Sequence, residues 1–132
     1  MSYMLDTDTC IYIKNRRPPH IIDRFSRLQG GEVVMSLITF GELLHGALKS
    51  NQANSALKKI NQLATILPVQ DMSEDVAKHY ASIRRNLEKT GKIIGNNDLW
   101  IAAHAVTLDL TLVTNNTKEF SRVDGLRIEN WV

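Results

Sequence analysis

The sequence predicts an α/β fold: one domain over residues 1–132, with a central, mostly parallel sheet and helices on both faces. Three observations carry this expectation. Short apolar runs bounded by polar residues alternate with longer stretches of helical period. No fixed-period repeat or low-complexity tract interrupts that alternation. A chain of 132 residues, 43% hydrophobic and 23% charged, is long enough to bury one core and too short for two.

The elements follow in order. Tyr3-Met4-Leu5 reads as the first strand, and Asp6 is placed to cap a short helix starting near Thr9. Pro18-Pro19 opens a helix in which Ile21, Ile22, Phe25 and Leu28 recur at helical spacing. Glu32 to Met35 is a second strand, followed by Thr39-x-x-Glu42, a capping-box pattern. Ala53, Ala56, Leu57, Ile60, Leu63 and Ala64 mark the next helix, and Ile66 to Val69 a third strand. Val76, Tyr80, Ile83 and Leu87 share one helical face, with Ser73 as N-cap and Gly91 as the stop. Leu99 to Leu108 is apolar on most faces, which predicts a helix buried against the sheet, capped by Asn96 or Asn97. Leu110 to Val113 is a fourth strand and Arg127-Ile128 a fifth.

Composition narrows the function classes. Sixteen Lys and Arg against fourteen Asp and Glu give a net charge of +2, too small to argue for nucleic acid by itself. The single cysteine, Cys10, excludes an internal disulfide framework and a Cys-rich zinc module, and reads as a small buried hydrophobe. No apolar run has the length of a membrane span, and Asp6 falls where a signal peptide would be basic and then apolar. The expectation is a cytoplasmic protein.

In doubly wound sheets the site lies at the carboxyl ends of the strands. Asp6 directly follows the first strand, with Asp8 two residues on. Glu42 comes shortly after the second strand, Asp98 opens the buried helix, and Asn115, Asn116 and Glu119 follow the fourth strand. Each acid also has a structural reading, as a helix cap or a partner of a helix dipole. Acids converging at one edge would repel unless protonated or bridged by a cation, and an all-oxygen set suits Mg²⁺ or Mn²⁺. Thr7, Thr114 and Asn115 are suited to orienting carboxylates. Around these segments stand Lys14, Arg16 and Arg17, then Arg84, Arg85, Lys89 and Lys92, then Lys118 and Arg122. Such runs either contact RNA phosphates, face solvent, or meet a protein partner. His104 reads as a core histidine, His45 and His79 as ordinary helix residues, and Trp100 as a packing or dimer contact; no pair has HExxH spacing.

The motifs resemble a known family. Met4-Leu5-Asp6-Thr7-Asp8-Thr9-Cys10-Ile11-Tyr12 looks like the opening of PIN-domain proteins, in particular VapC-type toxins of toxin–antitoxin systems. Ser36-x-Ile38-Thr39-x-x-Glu42-Leu43-x-x-Gly46 resembles their second motif, and Ile94-Gly95-x-x-Asp98-x-x-Ile101-Ala102-Ala103-His104-Ala105 their third. Leu112-Val113-Thr114-Asn115-Asn116-x-x-Glu119-Phe120, with Glu129-Asn130-Trp131 beyond it, resembles their C-terminal segment. The resemblance implies a PIN-like three-layer fold and an Mg²⁺- or Mn²⁺-dependent endoribonuclease toxin that inhibits translation, held inactive by a cognate antitoxin. It favours tRNA as substrate, specifically the anticodon stem-loop of initiator tRNA, and a homodimer. It assigns Asp6, Glu42 and Asp98 as metal ligands and catalytic residues, with Asn116 and Glu119 both matching the fourth position. Asp8 departs from the family, which commonly has Asn there. Two other readings stand beside this one. Asp6-Thr7-Asp8-Thr9 also looks like the start of haloacid-dehalogenase-type phosphatases, and a PIN-like module without catalysis would keep the same fold.

Overall fold

The computed structural model describes residues 1–132. The chain runs β1 (Tyr3–Leu5), α1 (Thr7–Asn15), α2 (Pro19–Ser26), β2 (Val33–Ser36), α3 (Leu37–Leu48), α4 (Ala53–Ile66), β3 (Val69–Gln70), α5 (Glu74–Lys89), α6 (Asn96–Thr107), β4 (Thr111–Val113), α7 (Thr117–Phe120) and β5 (Ile128–Glu129). The strands form one five-stranded sheet in the order β3-β2-β1-β4-β5, and every neighbouring pair is parallel.

Alternation along the strands sorts the core into two halves. Leu5, Val33, Met35 and Val113 point to one face, where they pack with Cys10, Ile13, Ile21, Leu43, Ile60 and Leu63 of α1 to α4. Met4, Val34 and Leu112 point to the other, against Leu87 of α5 and Leu99, Ile101, Ala102 and Ala105 of α6. This is the three-layer arrangement the alternating runs predict, because successive strand residues must face opposite sides. Cys10 is fully buried, and its thiol is pushed up by burial first and the nearby Asp6 second.

Several boundaries move, each for a local reason. The expected strand at Ile66 to Val69 shrinks to Val69–Gln70, because α4 runs on through Ile66, which is 55% exposed. Glu32 and Arg127 lie outside their strands, which are Val33–Ser36 and Ile128–Glu129. Thr39 is no cap: α3 starts at Leu37, with Ser36 as N-cap accepting the Ile38 N–H at 3.1 Å, so Thr39 and Glu42 lie inside the helix. The cap of α6 is Gly95, not Asn96 or Asn97, and Ser73 occupies the N-cap of α5 without a side-chain hydrogen bond. Gly91 stops α5 as expected. It sits at φ +67°, the Lys92 N–H donates to the Leu87 carbonyl at 2.9 Å, and the Gly91 N–H donates to that of Glu88 at 3.2 Å. This is the Schellman pattern, which favours glycine at the left-handed residue.

Candidate metal centre and active site

The chain builds outward from β1 to β2 and β3 on one side and then returns to lay β4 on the other. The carboxyl ends of β1 and β4 therefore flank the point where strand order reverses. Asp6 lies there. Its backbone N–H donates to the Val113 carbonyl at 3.0 Å, so the first residue after β1 is tied to the last of β4. Its carboxylate caps α1 by accepting the Thr9 N–H at 2.9 Å. Burial raises the Asp6 carboxyl above its usual range, partly offset by hydrogen bonds from Thr114 and Thr9, with Asp8 adding repulsion.

Glu42 is held from α1. The Thr7 hydroxyl donates to Glu42 Oε1 at 2.7 Å and lies 3.2 Å from the hydroxyl of the fully buried Thr39. With the single Thr7 proton directed at Glu42, Thr39 is left to donate to Thr7, giving a relay from core to carboxylate.

Asp98 is the half-buried third acid, in the first turn of α6. Its carboxyl is pushed up to about 6, by burial first and then by Glu119, Glu42 and Asp6 in that order. Asp98 thus feels the charges of residues 6, 42 and 119, although the four are spread over most of the chain. Glu119 stands closest, near enough to hydrogen-bond Asp98. It is itself fixed at both oxygens: the Gly95 N–H donates to Oε1 at 3.2 Å, and Asn116 Nδ2 donates to Oε2. Asn116 therefore meets the site through Glu119. Arg122 anchors the same approach by donating to the Ile93 carbonyl at 3.1 Å.

Of the orienting residues expected from sequence, Thr7 and Thr114 meet the acids, whereas Asn115 donates instead to the Tyr12 hydroxyl at 3.0 Å. Asp8 is exposed on α1. Trp100 stacks on Tyr80, with centroids 3.8 Å apart and planes at 8°, so it packs α6 to α5. Sequence reasoning missed Thr39, Ser36 and the Gly95 N–H as supports. The first two carried a signal, as polar residues inside a segment otherwise destined for the core.

The donor set fits a hard divalent cation. All donors are oxygens, and the Asp98 carboxyl, raised first by burial, is raised further by repulsion from its acidic neighbours, which a cation would relieve. No three of these side chains are placed to hold one ion together. An open set still suits Mg²⁺, which keeps several waters and needs only one or two protein carboxylates.

Known proteins decide the family. The PIN domain family matches residues 3–126. The chain belongs to the PIN domain family. Within it the VapC proteins are close relatives. The chain is 43% identical over 132 residues to "Ribonuclease VapC2" of Haemophilus influenzae, covering 100% of this chain and 99% of the relative. It is 38% identical over 131 residues to "tRNA(fMet)-specific endonuclease VapC" of Shigella flexneri, covering 99% and 98%. Among solved structures, DNA-bound VapBC from Salmonella typhimurium superposes with a TM-score of 0.94 at 39% identity, covering 100% of this chain and 99% of the other. Membership of the PIN family sets aside the phosphatase reading of Asp6 and Asp8.

Proposed function

We propose that this PIN domain is a VapC-type endoribonuclease toxin that depends on a divalent metal and cleaves tRNA, with the anticodon stem-loop of initiator tRNA as its target. The observation that carries the reading is the coupling of Asp98 to Glu119, Glu42 and Asp6 at the strand-order reversal. The names of the Haemophilus and Shigella relatives support ribonuclease activity and a tRNA substrate.

Asp6, Glu42 and Asp98 would hold Mg²⁺ or Mn²⁺, with Glu119 completing the set and Asn116 orienting Glu119. A bound ion would supply Lewis acidity toward the scissile phosphate and lower the pKa of a coordinated water. The chain's own contribution is alignment. Thr9 and Thr114 fix Asp6, Thr7 fixes Glu42, and the Gly95 N–H with Asn116 fixes Glu119. Hydrogen bonds of this kind keep ligand oxygens in place and favour the ionised carboxylates that a cation binds.

A groove of about 990 Å³ opens beside the site. Ile22, Phe25 and Ile66 give it apolar walls, Lys14, Arg16 and Arg17 line it with charge, and Thr7 and Glu42 lie at its edge. That mixture suits an amphipathic segment of a cognate antitoxin, which would cover the acids when seated. Residues 1–132 act in this reading as one ribonuclease domain, paired as a two-fold dimer in the cytoplasm. Digestion of initiator tRNA, with elongator tRNAs as controls, tests the whole reading. Cleavage confined to the anticodon stem-loop, requiring Mg²⁺ or Mn²⁺ and stopped by EDTA, is expected. Full activity in EDTA, or no RNA cleavage, overturns it.

A further inference from the structure

Outside the carboxylates, the imidazole of His104 is fully buried in the last turn of α6. It bridges two other parts of the sheet edge. Nδ1 lies 2.9 Å from the hydroxyl of Ser36, the last residue of β2, and Nε2 lies 3.1 Å from the backbone carbonyl of Asp71, just beyond β3. For a neutral ring the hydrogen-bond inventory admits one proton arrangement. The Asp71 carbonyl only accepts, so Nε2 carries the proton and donates to it. Nδ1 is then an acceptor and takes the Ser36 hydroxyl proton. The lone pairs of that hydroxyl are left to accept the Ile38 N–H at 3.1 Å. Burial lowers the pKa of His104, which favours the neutral ring this arrangement needs.

The positions of these partners give the link its consequence. Ser36 is the N-cap of α3, six residues before Glu42, and His104 is six residues after Asp98 on α6. Each acid is therefore about 9 Å along its helix from the link, at 1.5 Å per residue. A hydrogen bond thus ties α6 to the start of α3, and about 9 Å along each helix Asp98 feels the charge of Glu42. Removing the bond frees α3 to slide or rotate against α6, and Glu42 moves with it.

We propose that His104 is a positioning residue that acts through Ser36 to set Glu42 against Asp98, an inference that rests on the metal-dependent ribonuclease reading above. The ring can be divided chemically. In His104→Asn the side-chain oxygen is separated from Cβ by the same bonds as Nδ1, so an acceptor for Ser36 is kept. In His104→Gln the amide nitrogen corresponds to Nε2, so the Asp71 bond is kept and the Ser36 bond is lost. The measurements are kcat and KM for tRNA cleavage, Mn²⁺ affinity by electron paramagnetic resonance, and thermal midpoint in EDTA.

The expected result for His104→Gln is a loss of about tenfold in kcat and in Mn²⁺ affinity, with KM little changed; loss of a partner behind a ligand typically costs about 10–100-fold. His104→Asn should stay within about threefold of the wild type on both, by the same scale. Ser36→Gly, which costs little at an N-cap position, should match His104→Gln, and this arm decides the matter if the Gln variant does not fold. Equal losses for Asn and Gln, or a lowered midpoint in EDTA with unchanged kcat and Mn²⁺ affinity, overturn the positioning role while leaving the ribonuclease reading intact. A wild type that cleaves no RNA in Mg²⁺ overturns both.

Discussion

Asp98 and Glu119 face each other as two carboxyls within hydrogen-bonding reach, and only Glu119 has protein donors holding it in place. Glu119 is satisfied by the Gly95 N–H and by Asn116. Asp98 has no such donor, and burial first, with repulsion from Glu119, Glu42 and Asp6 added, raises its carboxyl to about 6.

That asymmetry sets a pH dependence. The folded pKa of Asp98 lies above the unfolded value of about 3.9, so its stabilising contribution is complete below about pH 4 and lost as pH rises through about 6. The metal-free protein should therefore become less stable between about pH 4 and pH 7, an effect that Asp98→Asn flattens. Mg²⁺ should restore stability above pH 6, where the carboxylate is free to bind it. Thermal midpoints across this range, with EDTA and with Mg²⁺, provide the check. An Asp98→Asn profile identical to the wild type would contradict the assignment.

Removing one charge at a time separates a ligand cluster from a set of helix caps. Glu42→Gln and Asp98→Asn should abolish RNA cleavage while leaving stability in EDTA unchanged or raised, because each relieves repulsion. Asp6 behaves differently, since it also caps α1. Asp6→Asn keeps a good capping side chain and should lose cleavage alone, whereas Asp6→Ala should cost a further ~0.5–2 kcal/mol. Retained cleavage in all of these variants would remove the acids from the active site.

Thr7 supplies the one side-chain hydrogen bond that reaches Glu42. Thr7→Val is nearly isosteric and should lower cleavage and Mn²⁺ affinity by about 10–100-fold. Thr7→Ser, which keeps the hydroxyl, should preserve both. Cleavage kinetics with a parallel Mn²⁺ titration would show whether the relay matters.

The basic residues divide by what already occupies them. Arg84 and Arg85 pair with Glu88 at 3.4 and 3.8 Å, and Arg84 also donates to the Tyr80 hydroxyl at 2.8 Å. Lys14, Arg16 and Arg17 line the groove next to Glu42, and no acid pairs with any of them. Replacing these three by Gln should weaken tRNA binding and reduce the slope of log Kd against log salt by about 0.7–0.9 for each phosphate that is no longer neutralised. Arg84→Gln and Arg85→Gln should change the slope far less. Filter binding at several salt concentrations distinguishes the two groups.

Most of the fold is legible in the sequence because burial on both sheet faces leaves near-continuous apolar runs such as Val33-Val34-Met35. Asp6, Glu42 and Glu119 are legible as acids that follow strand ends, and Asp98 as the acid that opens the buried helix. Their supports are harder to read. Thr39-x-x-Glu42 fits a capping box equally well, and only the start of α3 at Leu37 decides against it. Whether Asn116 or Glu119 meets Asp98 depends on the turn before α7, and no local pattern encodes that approach. The end of α4 is obscured because Ile66 is apolar yet exposed, so periodicity cannot separate the last turn of a helix from the start of a strand.

The sheet order also governs when the site comes into existence. β1 is made first but is central, and its second neighbour, β4, is among the last segments synthesised. Until residues 111–119 have left the ribosome, Asp6 lacks its Val113 and Thr114 partners and Asp98 lacks Glu119. A nascent or prematurely terminated chain therefore lacks the contacts that β4 and α7 supply to Asp6 and Asp98. If the enzyme attacks the translation machinery that makes it, this topology delays activity until synthesis is nearly complete, and a partner protein has that interval to be present.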